Sequence, residues 1–369
     1  MEMAKSFVKL NSCNQIQEYI LRFAIRSGGQ LPAILFDLGG TYIRCAISKT
    51  CCNATRSSLL HYEKKAIRNF LDGTPSDNVW QDLFAIIRQY VDRISVEVGP
   101  DAPVIISFAG PIDSAGAVAS ASSILGHAIK FPDVRSILSR ETRRSVFLLN
   151  DMSAATWYIS SVSSTNRFMA ITVSSGIGCK IFDRQSAHGV ADGVTYAGEI
   201  GHIVVDDDPN ALICDCGGVG HLQAIASGRG IERMAYRHAA RNRAGFMNSL
   251  CSTEFGAFVN EITNEKHLVP AAIGGDAWAL SVIRECTVHL GRILASITIA
   301  AGLEKIIITG GLAQSLGQVY LDLLLEAMRR GNTFGLFPFN LQLLQMCSPG
   351  DEISLLGAAI YANVRLGVE

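Results

Sequence analysis

Four side chains suited to a soft metal crowd into one short stretch of this sequence. His202, Cys214, Cys216 and His221 fall within the segment AGEIGHIVVDDDPNALICDCGGVGHLQAIASG, residues 197–228. Thiolate and imidazole are ligands that Zn²⁺ prefers, and four protein ligands close its coordination sphere, so the chemistry expected is structural. Gly217, Gly218 and Gly220 permit the tight turn that such a knuckle needs. Glu199, just before His202, is left to face a substrate. The competing reading is two reduced cysteines in a turn and two surface histidines.

Two other patterns suit phosphate. The apolar run Ala33–Phe36 ends at Asp37, Gly39-Gly40-Thr41 follow, and Ile43, Cys45 and Ile47 alternate into a second strand. In such a hairpin the glycines let backbone N–H groups approach phosphate oxygens, Thr41 adds a hydroxyl, and Asp37 organises Mg²⁺ through water. An ordinary Gly-Gly hairpin turn explains the same residues. Residues 168–182 repeat the device, with Ser174, Ser175, Gly176 and Gly178 at the bend. Lys180, on the returning strand, is read either as a phosphate contact or as an exposed strand lysine. Between the hairpins, the strand SVFLLND (145–151) ends in Asn150-Asp151, at the strand-to-helix junction where α/β proteins place catalysis. Capping of the helix that starts near Met152 is the alternative role for Asp151.

Together these segments resemble the ROK family, a group of repressors, open reading frames and sugar kinases. Its signature runs Glu-x-Gly-His, then Cys-x-Cys-Gly-x-x-Gly-Cys, then x-Glu. Glu199, Gly201, His202, Cys214, Cys216, Gly217 and Gly220 match it, while His221 stands in place of a third Cys and Gln223 in place of a sugar-binding Glu. Asp37, Gly39, Gly40, Thr41 and Arg44 match the first phosphate loop of the actin-like sugar-kinase superfamily. Gly176 and Gly178 match the second, in which Ser175 replaces a Thr and keeps a hydroxyl, and Cys179 and Lys180 replace two glycines.

The resemblance implies further roles. Asp151 is the general base for a sugar hydroxyl, Asn150 holds a neighbouring hydroxyl, and Glu199 and His202 grip adjacent ones. Gly310-Gly311 approach adenine and ribose. Gly110, in Ala109-Gly110-Pro111, leads toward the sugar pocket, where Ser123 and His127 replace a family Asn and Trp. The implied fold is α/β, with two ribonuclease-H-like lobes of the actin-like ATPase type and the active site in the cleft between them. The implied activity is ATP-dependent phosphorylation of a primary hydroxyl. Candidates are the 6-hydroxyl of glucose or an amino sugar, or the equivalent hydroxyl of a C7-cyclitol. ATP, Mg²⁺, a structural Zn²⁺ and a homodimer come with it. A non-catalytic or regulatory sugar sensor of the same family is the alternative.

These residues need a scaffold, and the composition supplies one. The chain has 369 residues, is 49% hydrophobic and only 18% charged, and carries a formal net charge of −1. It is long enough for two lobes, and it has no basic stripe for nucleic acid. Ten scattered cysteines suit reduced thiols in a cytoplasm. No signal peptide is visible, and the apolar stretch Ile293–Leu303 is too short to span a bilayer.

The expected layout is a helical arm over 1–30, too short for a winged-helix DNA-binding domain, and a small lobe over 31–147 completed by a helix at 355–369. A larger lobe over 148–354 holds the knuckle at 199–223. Helical spacing predicts helices over 79–94, 153–161, 222–236 and 277–301, with Gly302 as a stop. Residues 239–276 read as mixed and helical, with Phe255, Phe258, Val259 and Ile262 sharing a face.

Overall fold

Ala33–Leu38 is apolar at every position but Asp37, and both its faces are buried. Ile34, Phe36 and Leu38 point into one hydrophobic cluster, Ala33 and Leu35 into another. That is the alternation of a central strand covered on both sides. The computed structural model describes residues 32–39, 42–48, 55–66, 79–113, 116–118, 132–330, 339–340, 342–347, 350 and 352–366. The expected arm at 1–30, and Gly40, Thr41, Ser123 and His127, lie outside the described residues.

Two sheets carry the chain. In the first, β1 (Ala33–Leu38), β2 (Tyr42–Ser48), β3 (Leu59–Ala66), β4 (Val104–Phe108) and β5 (Val146–Asn150) lie in the order β3-β2-β1-β4-β5. In the second, β6 (Arg167–Val173), β7 (Ile177–Asp183), β8 (Lys305–Thr309) and β9 (Leu344–Met346) lie in the order β7-β6-β8-β9. Each begins with an antiparallel hairpin, extended in the first sheet by β3 as a third antiparallel strand, and each then adds two parallel strands. The hairpin repeat expected from the sequence is thus a repeat of topology.

The principal helices are α1 (Val79–Val98), α2 (Val134–Thr142), α3 (Asp151–Val162), α4 (Leu222–Ala226), α5 (Gly228–Arg241), α6 (Ala277–Ala301), α7 (Gly311–Leu316), α8 (Gln318–Arg329) and α9 (Ile353–Tyr361). α1 and α2 cover the outer face of the first sheet. α4 to α8 cover the outer face of the second. α3 and α9 form the inner layer, where Leu35, Ala46 and Ile105 of one sheet and Phe168, Ala170 and Ile307 of the other meet the same cluster. The last helix therefore packs on the first sheet.

α6 ends at Gly302, in the left-handed conformation, as its sequence implies. Two expectations fail. The helix read over 222–236 is broken at Ser227, which is extended and caps α5 by accepting the Gly230 N–H at 3.1 Å. Residues 254–262 form no helix; Phe258 is exposed while Ile262 is buried, so the shared apolar face does not exist.

α9 crosses α3 at Gly357. A Cβ there would lie 1.6 Å from the Ala154 carbonyl oxygen, a backbone atom that cannot swing away. Gly357→Ala is therefore expected to separate the inner helices and cost about 1–3 kcal/mol, the range for overpacking a close-packed interior. Urea unfolding of the two proteins measures this directly; an unchanged midpoint would show that the crossing relaxes freely.

Candidate functional site

β5 runs straight into α3, and the junction sets the site. Asn150 is extended, and its Oδ1 accepts the N–H groups of Met152 at 3.0 Å and Ser153 at 3.3 Å. Asn150 is therefore the cap, a task that would otherwise fall to Asp151. Its Nδ2 donates to the Gly110 carbonyl at 2.9 Å, which ties down the turn after β4. One amide hydrogen remains for a ligand. Asp151 becomes the first helical residue. Its Oδ1 accepts from Met152 N–H at 2.8 Å, and its Oδ2 accepts no hydrogen bond among the described residues.

Burial pushes the Asp151 carboxyl up to about 7. The Met152 N–H opposes this; the carboxylates of Asp37 and Glu199 reinforce it, and Lys180 opposes it. The charges of Asp37, Glu199 and Lys180, from three different elements, all act on this group. A carboxylate poised near neutrality is matched to accepting a proton.

Asp37, 6% exposed, lies opposite Ser107 and Arg44 in the sheet register. It accepts from Ser107 Oγ at 3.2 Å and from Arg44 Nη1 at 2.9 Å. Ser107 was not singled out from the sequence; a lone hydroxyl in the apolar strand VIISF was the available signal. Gly39 closes the hairpin bend by donating to the Tyr42 carbonyl at 3.1 Å. In the second hairpin, the Ser174 carbonyl accepts from Gly228 N–H at 2.7 Å. Gly310 abuts the Val173 backbone, and Gly311 lies near Ser174. The structure thus brings Ser175, Gly176, Gly310 and Gly311 to the same end of the second sheet, past the carboxyl ends of the parallel neighbours β6 and β8.

His202, Cys214, Cys216 and His221 converge, with ligand atoms all within 4.8 Å of one another. Cys214 Sγ is 3.8 Å from His202 Nδ1, Cys216 Sγ is 3.2 Å from His221 Nδ1, and the two Nδ1 atoms are 3.4 Å apart. A tetrahedron built on ordinary Zn–N and Zn–S lengths has edges of roughly 3.3–3.8 Å, so the donor set fits Zn²⁺. Gly220 makes the loop possible: it has φ 69°, and a Cβ would sit 1.7 Å from the Asp206 carbonyl oxygen. His202 Nε2 lies 3.9 Å from Glu199 Oε2, so the knuckle stands directly behind that carboxylate.

Gln223 faces the knuckle. Its Nε2 donates to Cys214 Sγ at 3.1 Å, while Oε1 abuts Gly176 and Gly201. The amide thus links the thiolate to the second hairpin, contact that a carboxylate at this position would make as a repelling charge.

Lys180 corrects the sequence reading. It is 6% exposed, not a surface lysine, and its ammonium donates to the Ala197 carbonyl at 2.7 Å and pairs with Asp192 at 3.0 Å. Asp192 in turn accepts from Ser153 Oγ at 2.9 Å. Asp192 and Ser153 were both missed; a lysine between buried strand positions demands a partner, and that demand was the signal. A cleft of about 840 Å³ opens beside Asn150, Ser153, Lys180 and Asp192. Asp151 and Glu199 do not line it, so it adjoins the carboxylates rather than containing them.

Two ribonuclease-H-like sheets, with a carboxylate at the strand end between them, define the actin-like ATPase fold. The ROK family model matches residues 33–364. The chain belongs to the ROK family. It is 32% identical over 344 residues to a C(7)-cyclitol 7-kinase of Streptomyces hygroscopicus subsp. limoneus, covering 90% of this chain and 94% of that protein. It is 26% identical over 296 residues to a glucokinase of Thermotoga maritima, covering 78% and 84%. A ROK family glucokinase from Streptomyces griseus, solved with glucose and AMPPNP, shares the fold at a TM-score of 0.66 and 24% identity, covering 89% of this chain and 98% of that one. Among the described residues, no helix is long and apolar enough to cross a membrane.

Proposed function

We propose that this protein is an ATP-dependent kinase that phosphorylates a primary hydroxyl of a sugar or sugar-like cyclitol, with Asp151 as the general base. The observation that carries the reading is the division of labour at the β5–α3 junction. Asn150 caps the helix, so Asp151 keeps an oxygen without a partner among the described residues and a carboxyl raised toward neutrality. Asp151 takes the hydroxyl proton as the substrate oxygen bonds the γ-phosphorus and the bond to ADP breaks. The rest is positioning and charge stabilisation.

In this reading Gly39, Gly40, Thr41 and Arg44 of the first hairpin, with Ser175, Gly176, Gly310 and Gly311, hold ATP. Asp37 would help to hold Mg²⁺, which would supply neutralising charge at the phosphates. Asn150, Glu199 and His202 contact the acceptor hydroxyls, and Gly110 and Ser123 border them. Zn²⁺ on His202, Cys214, Cys216 and His221 would supply rigidity to the Glu199 turn. Gln223, turned toward Cys214, acts on the acceptor through that turn.

The cyclitol branch of the substrate class has two supports. It is the acceptor named for the relative at 32% identity, and Gln223, Cys179 and Lys180 all depart from the sugar-kinase pattern around the acceptor. ATP-dependent phosphorylation across hexoses, amino sugars and C7-cyclitols, with products identified by mass spectrometry, is expected to give its strongest turnover on a cyclitol or amino sugar. A clear preference for glucose would overturn that acceptor class. Ligand binding without turnover on any of them would make the chain a sensor.

A further inference from the structure

The buried lysine has no part in the roles above, yet its charge acts on the two carboxylates on which they depend. Lys180 sits on β7, and its ammonium reaches across to the loop that leads into Glu199, where the Ala197 carbonyl accepts from it at 2.7 Å. Asp192, at the start of the same loop, pairs with it at 3.0 Å. Asp192 also accepts from Ser153 Oγ at 2.9 Å, and Ser153 lies two residues along α3 from Asp151. One chain of contacts therefore runs from the helix of the base, through Asp192 and Lys180, to the turn that carries Glu199. A Gly at position 180, the residue that the family loop has there, would provide no such link.

Charge points the same way. Asp37 on β1, Asp151 on α3 and Glu199 on its turn bring three carboxylates together, with Asp192 beyond Lys180 as a fourth. The Arg44 guanidinium pairs with Asp37 through Nη1. Among the described residues, Lys180 is the cation that acts on both Asp151 and Glu199. A buried ammonium is costly unless paired, and here the Ala197 carbonyl and Asp192 hold it in place.

We infer that Lys180 is a positioning residue of the acceptor site: held by Ala197 and Asp192, its ammonium locks the Glu199 turn to the helix of Asp151. This rests on Asp151 as the base. Removing the charge leaves Asp151 among like charges, so its ionisation moves to higher pH.

The test is the acid limb of kcat against pH in the full-length protein, with the acceptor that gives turnover. Lys180→Met is expected to move the midpoint up by roughly one pH unit, the low end for losing a nearby opposite charge. Lys180→Arg is expected to restore it. Asp192→Asn, which leaves the ammonium on the Ala197 carbonyl, is expected not to raise it. A Lys180→Met limb at the parental midpoint, or equal displacement in all three variants, would overturn the proposal. A ¹³C titration of the Asp151 carboxyl, assigned by its loss in Asp151→Asn, reads the same coupling without turnover. If the parent phosphorylates nothing, an upward shift in Lys180→Met there keeps the coupling and removes the kinase reading; no shift removes the coupling.

Discussion

Asp151→Asn is expected to lose about 10²–10⁴-fold in kcat, the range for removing a positioned general base, with little change in acceptor binding. Asn is isosteric and still accepts from the Met152 N–H, so the α3 junction should keep its shape. The parent should show a rate that falls on the acid side of neutrality, because the Asp151 carboxyl is pushed up to about 7 and its protonated form accepts nothing.

Stability should move the opposite way. A carboxyl raised in the folded state contributes most below its unfolded value, near 3.8, and that contribution is lost as pH rises through about 7. Asp151→Asn has no such loss, so its thermal midpoint should match or exceed the parent's at pH 8, with the gap closing as pH falls. Turnover near the parental rate would remove Asp151 from its role. A fall in both rate and thermal midpoint at pH 8 would mean damage to the fold instead.

Zinc removal should give the second large effect. About one equivalent per chain is expected by elemental analysis after dialysis, as a single four-ligand knuckle requires. Cys214→Ser and Cys216→Ser should each lose it. Because His202 stands beside Glu199, stripping the metal is expected to raise the KM for the acceptor well before it affects the KM for ATP. Limited proteolysis should then cut within residues 203–219, where Ile203, Val204, Ile213 and Val219 are already exposed. Gln223→Leu, which deletes the hydrogen bond to Cys214 Sγ, should weaken zinc by about 10–100-fold. Metal-free protein with unaltered acceptor kinetics would separate the knuckle from the site.

The parts of the fold that announce themselves in the sequence are those governed by local patterns. Ala33–Leu38 is an unbroken apolar run with one acidic residue near its end, and it is the central strand. α6 has its apolar stripe and its Gly302 stop. His202, Cys214, Cys216 and His221 lie close in sequence, so their convergence required only a turn. What stayed hidden depends on partners distant along the chain. Ser227 breaks a continuous helical pattern because Gly228 must meet the Ser174 carbonyl, some fifty residues earlier. Lys180 resembles a surface lysine until Asp192 and Ala197 come into view. Asn150 rather than Asp151 caps α3, a choice that adjacent residues of equal capping propensity do not reveal.

The inner layer has a consequence for synthesis. The face of the first sheet formed by Ala33, Leu35 and Ala46 is sealed by α9, and α9 emerges from the ribosome after both sheets. The early half of the nascent chain thus waits, with an apolar face uncovered, while the whole second sheet is translated. Such a delay leaves the unfinished domain open to misassembly until its last helix arrives.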